Sequence, residues 1–339
     1  MIKFATIGTS WITSSFIEAA LADGRWELSC VYSRDIAKAG ALLRKYRPEG
    51  GAAVNELNEL ARSEPDAVYI ASPNSLHCGQ SVFFLERGIH VICEKPAAVS
   101  ERQWDTMERA AERGGALLFE AFRHINSPGF EALRTATTMI GPVRNAIMSY
   151  NQYSSKYDDY KKGGLPNVFN GEFAGGAMHD LGTYPISLAA ALWGKPEKTA
   201  GVLYTLPSGA DASGAMVLDY GSFLCSITFS KIADGLIENE ILGEEGGVTF
   251  DKPQELSRIH LRPRAKYDAP KTKLSDYGSI TAETIDLSMP MEENRMRHEA
   301  LEFANIILNI QNVRPAYEKR LKISRDTQAI MDAVRKGDA

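Results

Sequence analysis

Short apolar runs alternate with helical segments through the first third of this 339-residue chain, and nothing else in the sequence narrows the fold as much. Phe4–Ile7, Trp26–Tyr32, Ala67–Ala71, Ile89–Cys93 and Ala116–Phe119 are short and mostly apolar, as strands buried on both faces must be. Between them lie helical stretches at Ile12–Ala22, Asp35–Tyr46, Glu56–Ser63, Leu76–Arg87 and Glu101–Arg113, the last opened by Ser100 as N-cap. This alternation predicts an α/β fold with a doubly wound parallel sheet. Five strands come close to the six of a dinucleotide-binding sheet.

Beyond Arg123 the pattern changes. A helix near Phe130–Met139 precedes a strand at Val143–Tyr153, and the polar and aromatic stretch Ser154–Tyr160 is too irregular for an element and suits a binding loop. Gly175–Trp193 reads as one helix. From Lys198 to about Ile259, short alternating strands separated by Gly and Pro predict an open, mostly antiparallel or mixed sheet. Two helices, near Glu292–Ile310 and Arg325–Lys336, finish the chain. The length exceeds one ordinary domain. We therefore expect a nucleotide-binding domain at 1–123 and an α/β domain at 124–339, whose last helix can pack back on the first.

Composition narrows the function classes. With 44% hydrophobic and 24% charged residues the chain is globular, and a net charge of -5 argues against nucleic acid as partner and leaves small molecules. The apolar run near Pro185–Trp193 is well short of a membrane span, and the start at Met1 has too short an apolar stretch for a signal peptide. A cytoplasmic protein is expected. Cys30, Cys78, Cys93 and Cys225 show no paired spacing and read as buried free thiols.

Five constellations carry chemistry. Glu94-Lys95-Pro96 closes a buried strand, and the carboxyl edge of such a sheet is where ligands bind. Proline 96 biases Lys95 toward extended geometry, so the lysine is held at that edge. Gly8-Thr9-Ser10-Trp11-Ile12-Thr13, between the first strand and helix, keeps only the first glycine of a G-x-G-x-x-G fingerprint, and reads as a phosphate-binding turn or as a plain βα turn. At the end of the second strand, Ser33-Arg34 stands where an acid would hold an NAD ribose. This favours NADP, unless Ser33 is simply an N-cap and Arg34 merely exposed. Ser72-Pro73-Asn74-Ser75-Leu76-His77 leaves a strand at the same edge as Lys95, with His77 either functional or part of the next helix. Finally, Asp180 and Tyr184 are four apart and share a helix face, with Gly176 one turn earlier leaving room for a ligand. His179 beside Asp180 does not make a metal site, since helix neighbours point about 100° apart and no H-E-x-x-H spacing occurs.

In this order, Gly8, Ser72 to His77, Glu94-Lys95-Pro96 and Gly175-Gly176 through Asp180 to Tyr184 resemble the Gfo/Idh/MocA family of NAD(P)-dependent oxidoreductases over nearly the whole chain. The resemblance implies an N-terminal Rossmann domain and a C-terminal α/β domain whose open sheet pairs copies into a homodimer or homotetramer. It implies NADP(H), with NAD(H) as the alternative, held by Gly8, Thr9, Ser10, Trp11, Ile12, Ser33, Arg34, Ser72, Pro73, Asn74, His77, Glu94 and Lys95. Carried over residue by residue, the reacting set is Lys95, Asp180 and Tyr184. Many members end that motif in histidine, and tyrosine resembles the branch of dihydrodiol dehydrogenase and glucose-fructose oxidoreductase rather than the inositol dehydrogenases.

The implied reaction is hydride transfer at a hydroxyl or carbonyl carbon of a sugar, polyol or dihydrodiol-like molecule. A lysine cation beside a phenol favours the phenolate, so Tyr184 would exchange the proton, Lys95 would assist it and polarise the substrate oxygen, and Asp180 would orient either. Arg123, Tyr157 and Asn167, with Tyr184, are the expected substrate contacts. Tyr157, Tyr160 and Phe169 could stack on a sugar face or form a subunit contact. A non-catalytic NAD(P) sensor of the same fold is the alternative; a sensor has no need of a proton-transfer set.

Overall fold

The computed structural model describes residues 1–264 and 283–337, which fall into two units. The first holds Met1–Arg123, Glu172–Gly175 and Glu292–Ala329; the second holds His124–Gly171, Gly176–Met291 and Ile330–Ala339.

The first unit runs β1 (Ile2–Ile7), α1 (Trp11–Asp23), β2 (Trp26–Tyr32), α2 (Ile36–Tyr46), β3 (Ala52–Val54), α3 (Leu57–Arg62), β4 (Ala67–Ile70), α4 (Asn74–Leu85), β5 (His90–Glu94), α5 (Glu101–Gly114), β6 (Leu118–Ala121). All six strands are parallel, in the order β3-β2-β1-β4-β5-β6. This is the dinucleotide-binding order, and it reverses between β1 and β4, whose carboxyl ends therefore flank the ligand crevice. The expected doubly wound sheet is present. Alternate side chains feed two cores: Phe4, Trp26, Tyr69 and Phe119 enter one, Ala5, Ile7, Val68 and Val91 the other. Phe16 of α1 stacks on Tyr69 with ring centroids 3.9 Å apart. The C-terminal helix (Arg297–Lys336) joins the first core through Ala300, Phe303 and Tyr317, whose hydroxyl accepts the Leu118 N–H at 2.9 Å.

Three departures from expectation fall in the first sheet and at the C-terminus. β3 is an additional strand of three residues after Gly50 and Gly51, both at positive φ. The strand expected at Ala116–Phe119 starts at Leu118, because Gly115 (φ 66°) stops α5 and the Ala116 N–H still bonds the Ala111 carbonyl at 2.9 Å. The two expected C-terminal helices are present and meet at a kink, with non-helical backbone at Asn309 and Val313 just before Pro315, so the second starts earlier than Arg325.

The second unit contains α6 (Pro128–Thr138), β7 (Val143–Asn151), α7 (Tyr157–Lys161), α8 (Thr183–Trp193), β8 (Lys198–Thr205), β9 (Asp211–Asp219), β10 (Leu224–Ser230), β11 (Asn239–Gly243), β12 (Gly246–Phe250), β13 (Ile259–Pro263) and β14 (Ile285–Asp286). Its sheet order is β14-β13-β12-β11-β7-β10-β9-β8; β7 and β10 are parallel and every other neighbour is antiparallel. Cys225, Ile227 and Phe229 of β10 bury one face together with Ala146 and Met148 of β7. Among the described residues no helix is long and apolar enough to cross a membrane. All four cysteines are free, and Cys30, Cys93 and Cys225 are buried.

Candidate active site

In the first unit the site begins at a turn that only glycine tolerates. Gly8 has φ +106°, and a Cβ there would lie 2.6 Å from the Ala71 carbonyl oxygen. α1 then starts without competition for an anion: the Ser10 hydroxyl makes no capping bond and the first turn holds no acid. Among the described residues no acceptor meets the N–H groups of Trp11, Ile12 and Thr13, and the buried Thr13 hydroxyl also lacks a partner. Free donors at the positive end of a helix fit a pyrophosphate even though Ser10 and Thr13 replace two fingerprint glycines. Thr9 is half-buried in the same turn.

At the end of β2 the N-cap is Asp35, which accepts from the N–H groups of Ala37 at 3.1 Å and Lys38 at 3.4 Å. The bond from Lys38 leads in holding its carboxyl below the usual range. The Ser33 hydroxyl accepts from the Asp35 N–H at 3.2 Å, and Arg34 is exposed. The one acid in this turn is thus spent on the helix.

Past β4, α4 starts at Asn74, two residues earlier than expected, since Pro73 presets φ at the cap. Ser72 Oγ donates to Gln80 Oε1 at 2.7 Å, and Asn74 Nδ2 donates to the Ala174 carbonyl at 3.0 Å. His77 is 1% exposed; Nδ1 lies 2.9 Å from the Pro96 carbonyl and Nε2 2.8 Å from that of Ser72. Burial pushes its pKa down against those two bonds. His77 therefore ties the loop after β4 to the loop that carries Lys95.

That second loop is pinned by carboxyls. Glu94, almost wholly buried, accepts the Tyr69 hydroxyl at 2.6 Å and the Lys95 N–H at 3.2 Å. The Lys95–Pro96 peptide is cis, and the next N–H, from Ala97, goes to Glu120 Oε1 at 2.9 Å. Burial raises the Glu94 pKa, opposed by the Tyr69 bond and the charges of Lys95 and Arg123. It pushes Glu120 up to about 7, and burial together with Glu94 pushes Glu299 well above the carboxylate range. Arg123, the expected substrate contact, ends this unit and faces both Glu94 and Glu299 electrostatically.

In the second unit the expected helix from Gly175 is broken. Gly176 has φ +132°, Met178–Gly182 form a π-helical turn, and α8 follows. The room at Gly176 is filled by the protein rather than left for a ligand: a Cβ there would lie 2.2 Å from Asp211 Oδ1, and Asp211 Oδ2 accepts the Met178 N–H at 2.6 Å. Gly182 is likewise a packing glycine, since its Cβ would meet the Phe229 ring at 2.8 Å. π-turns recur at functional sites because they re-aim side chains. This one projects Asp180 onto Lys231 Nζ, in an ion pair with a buried lysine. Tyr184, on the first turn of α8, is 8% exposed, with its ring centroid 5.1 Å from His124 and 5.7 Å from Tyr150. Arg335 Nη2 reaches His179 Nδ1 at 3.2 Å. Among the described residues no cluster of three or more His, Cys, Asp or Glu could hold a metal ion.

The polar loop holds more structure than expected: α7, and a 3₁₀ turn at Asn167–Phe169 that leaves Asn167 exposed. Its aromatics pack on each other, with Tyr157 5.5 Å from Phe169 and 6.2 Å from Tyr160. Phe169 is wholly buried, so it offers no face to a sugar. Sequence reasoning missed Lys231, Asp211, Glu120, Glu299 and Arg335. Lys231 was within reach, because it is the first cation after a strand, the same signal that singled out Lys95.

The comparisons agree with this architecture. Residues 2–122 match the model of the GFO_IDH_MocA oxidoreductase family with an NAD-binding Rossmann fold, and residues 135–249 match that family's C-terminal domain. The uncharacterized oxidoreductase YgjR of Escherichia coli is 36% identical over 99% of this chain and 96% of its own length. The scyllo-inositol 2-dehydrogenase (NADP(+)) IolU of Bacillus subtilis is 35% identical over 99% and 97%. The pig trans-1,2-dihydrobenzene-1,2-diol dehydrogenase is 27% identical over 67% and 68%. The relatives thus include both an inositol dehydrogenase and a dihydrodiol dehydrogenase. In fold, a 3-ketoreductase of Actinomadura kijaniata solved with NADP and TDP-benzene superposes with a TM-score of 0.81 at 21% identity, covering 99% of this chain and 97% of that one. The chain belongs to the Gfo/Idh/MocA family of oxidoreductases.

Proposed function

We propose that this oxidoreductase prefers NADP(H) and acts on a hydroxyl or carbonyl carbon of a polyol or sugar. The observation that carries the reading is the end-to-end match, at 35% identity, to a relative named as an NADP(+)-dependent scyllo-inositol 2-dehydrogenase. The end of β2 supports the cofactor choice: Asp35 is committed to capping α2, while Ser33 and the exposed Arg34 suit a 2′-phosphate. Gly8, Thr9, Ser10 and the free N–H groups of Trp11 and Ile12 would hold the pyrophosphate, and Ser72, Pro73, Asn74, Glu94 and Lys95 the nicotinamide side, with His77 fixing the loops behind them. When bound, the nicotinamide gives or takes the hydride.

The chain's own residues handle the proton and the orientation. Tyr184, shielded from bulk water at 8% exposure, exchanges a proton with the substrate oxygen. Lys95 polarises that oxygen and Asp180 orients the reacting groups. Arg123, Tyr157 and Asn167 are the proposed substrate contacts. The open face of the second sheet is the proposed contact with a second copy of the chain.

Fluorescence titration is expected to show NADPH bound at least about tenfold more tightly than NADH, a difference of about 1.4 kcal/mol. A panel of inositols, sugars and dihydrodiols then identifies the substrate. Preference for NADH overturns the reading of Ser33 and Arg34, and NADPH binding without turnover of any of these substrates or their carbonyl counterparts restores the sensor reading. Tyr184→Phe is expected to lower kcat by about 10²-fold or more, the usual reach of a general acid–base group, with NADPH affinity retained. Unchanged turnover would move the proton to Lys95.

A further inference from the structure

We infer that Lys231 is a positioning residue of this reaction, one that fixes and charge-balances the Asp180 carboxylate on the π-helical turn. The inference rests on the reading of Asp180 as a member of the reacting set. The two partners are unequally buried: the Lys231 side chain is 7% exposed and that of Asp180 40%. An ammonium inside a protein is tolerated when an anion meets it, so the lysine is committed to the interior while the carboxylate stays partly exposed.

The lysine itself cannot drift. Its N–H bonds the Ala212 carbonyl at 2.8 Å, and its carbonyl accepts the Ser154 N–H at 2.8 Å, which ties the end of β10 both to β9 and to the chain following β7. Two residues earlier, on β10, Phe229 fills the space against Gly182. One strand end therefore supports the π-turn twice, by ring packing at Gly182 and by charge at Asp180, while Asp211 of β9 holds its first N–H. With its charge balanced from behind, Asp180 acts as a fixed anionic acceptor that orients groups, and proton exchange stays with Tyr184.

A double-mutant cycle tests this. With NADP⁺ and the best substrate of the panel, Lys231→Met and Asp180→Asn are each expected to lower kcat about 10- to 100-fold, the cost of a misplaced catalytic group, with little change in cofactor KM. The double variant should be hardly worse than either single one, and Lys231→Arg should recover most of the loss. In the apo-protein, Asp180→Asn should lower the thermal midpoint because it strands a buried ammonium, but should have little effect in the Lys231→Met background. If Lys231→Met turns over within twofold of wild type while Asp180→Asn is impaired, or if the two losses multiply, the positioning role is wrong. If Asp180→Asn alone leaves kcat unchanged, the reading of the site fails first and this inference goes with it. Should the methionine variant not fold, Lys231→Gln, which retains much of the side chain's length without its charge, takes its place in the cycle with the same outcomes.

Discussion

Glu120 is a carboxylic acid with almost no route to water, one strand over from the strand that delivers Lys95. Its Oε1 takes the Ala97 N–H, and so helps shape the loop that holds the lysine. Burial sets its pKa at about 7 in the fold, against 4.5 for an ordinary glutamate. Between those values the native protein keeps a proton that the unfolded chain has lost. The group's contribution to stability is therefore favourable below pH 4.5 and is lost as pH rises through 7, by at most about 3 kcal/mol. Glu120→Gln preserves the carbonyl acceptor and cannot ionise. The stability of the variant relative to wild type should rise between pH 5 and pH 8, as read from urea unfolding at both. Parallel pH profiles for the two proteins would show that Glu120 is already ionised in the fold.

At the scale of elements, the π-turn shows what a sequence discloses and what it withholds. Strands, helices and the parallel sheet were legible because burial on both faces leaves mostly apolar runs, and helical connections return each strand in parallel. Lys95 was legible because it is the cation that ends such a run. The turn was not. Gly176 and Gly182 look like the glycines of a ligand-facing helix, and their reason lies in residues distant in sequence, Asp211 and Phe229, which occupy the space a Cβ would need. β3 escaped for a different reason: three half-buried residues carry no periodicity and gain strand geometry only by pairing Cys30 with Ala52 and Tyr32 with Val54. Gly176→Ala sets a side chain at φ +132° against Asp211 Oδ1 and should cost at least about 2 kcal/mol, through strain and loss of the Met178 anchor. Thermal unfolding and kcat should fall together. A variant with a wild-type midpoint would mean that Asp211 can move aside without disturbing the turn.

At the scale of the whole molecule, the second sheet has one face that the described residues of its own unit leave exposed. Register places Val202 of β8 beside Ala215 of β9, and Val217 of β9 beside Ser226 of β10, so these residues share that face with Leu224. Val202 is 75% exposed, Leu224 48% and Val217 39%. Apolar side chains contiguous over three strands are rarely left to water by a monomer, and a two-fold contact sets the same patch of two copies face to face. In such a contact every substitution enters twice. Val217→Glu would bury two carboxylates near the centre of the face, at an effective cost on the order of 3 kcal/mol or more per copy, whereas in an isolated chain the same residue stays partly hydrated. Light scattering of the wild type should therefore give a dimer or tetramer, and Val217→Glu a smaller species with an unchanged circular dichroism spectrum. A monomeric wild type would leave the exposed valines and leucine without a second copy to cover them, and the proposed contact would have to be abandoned.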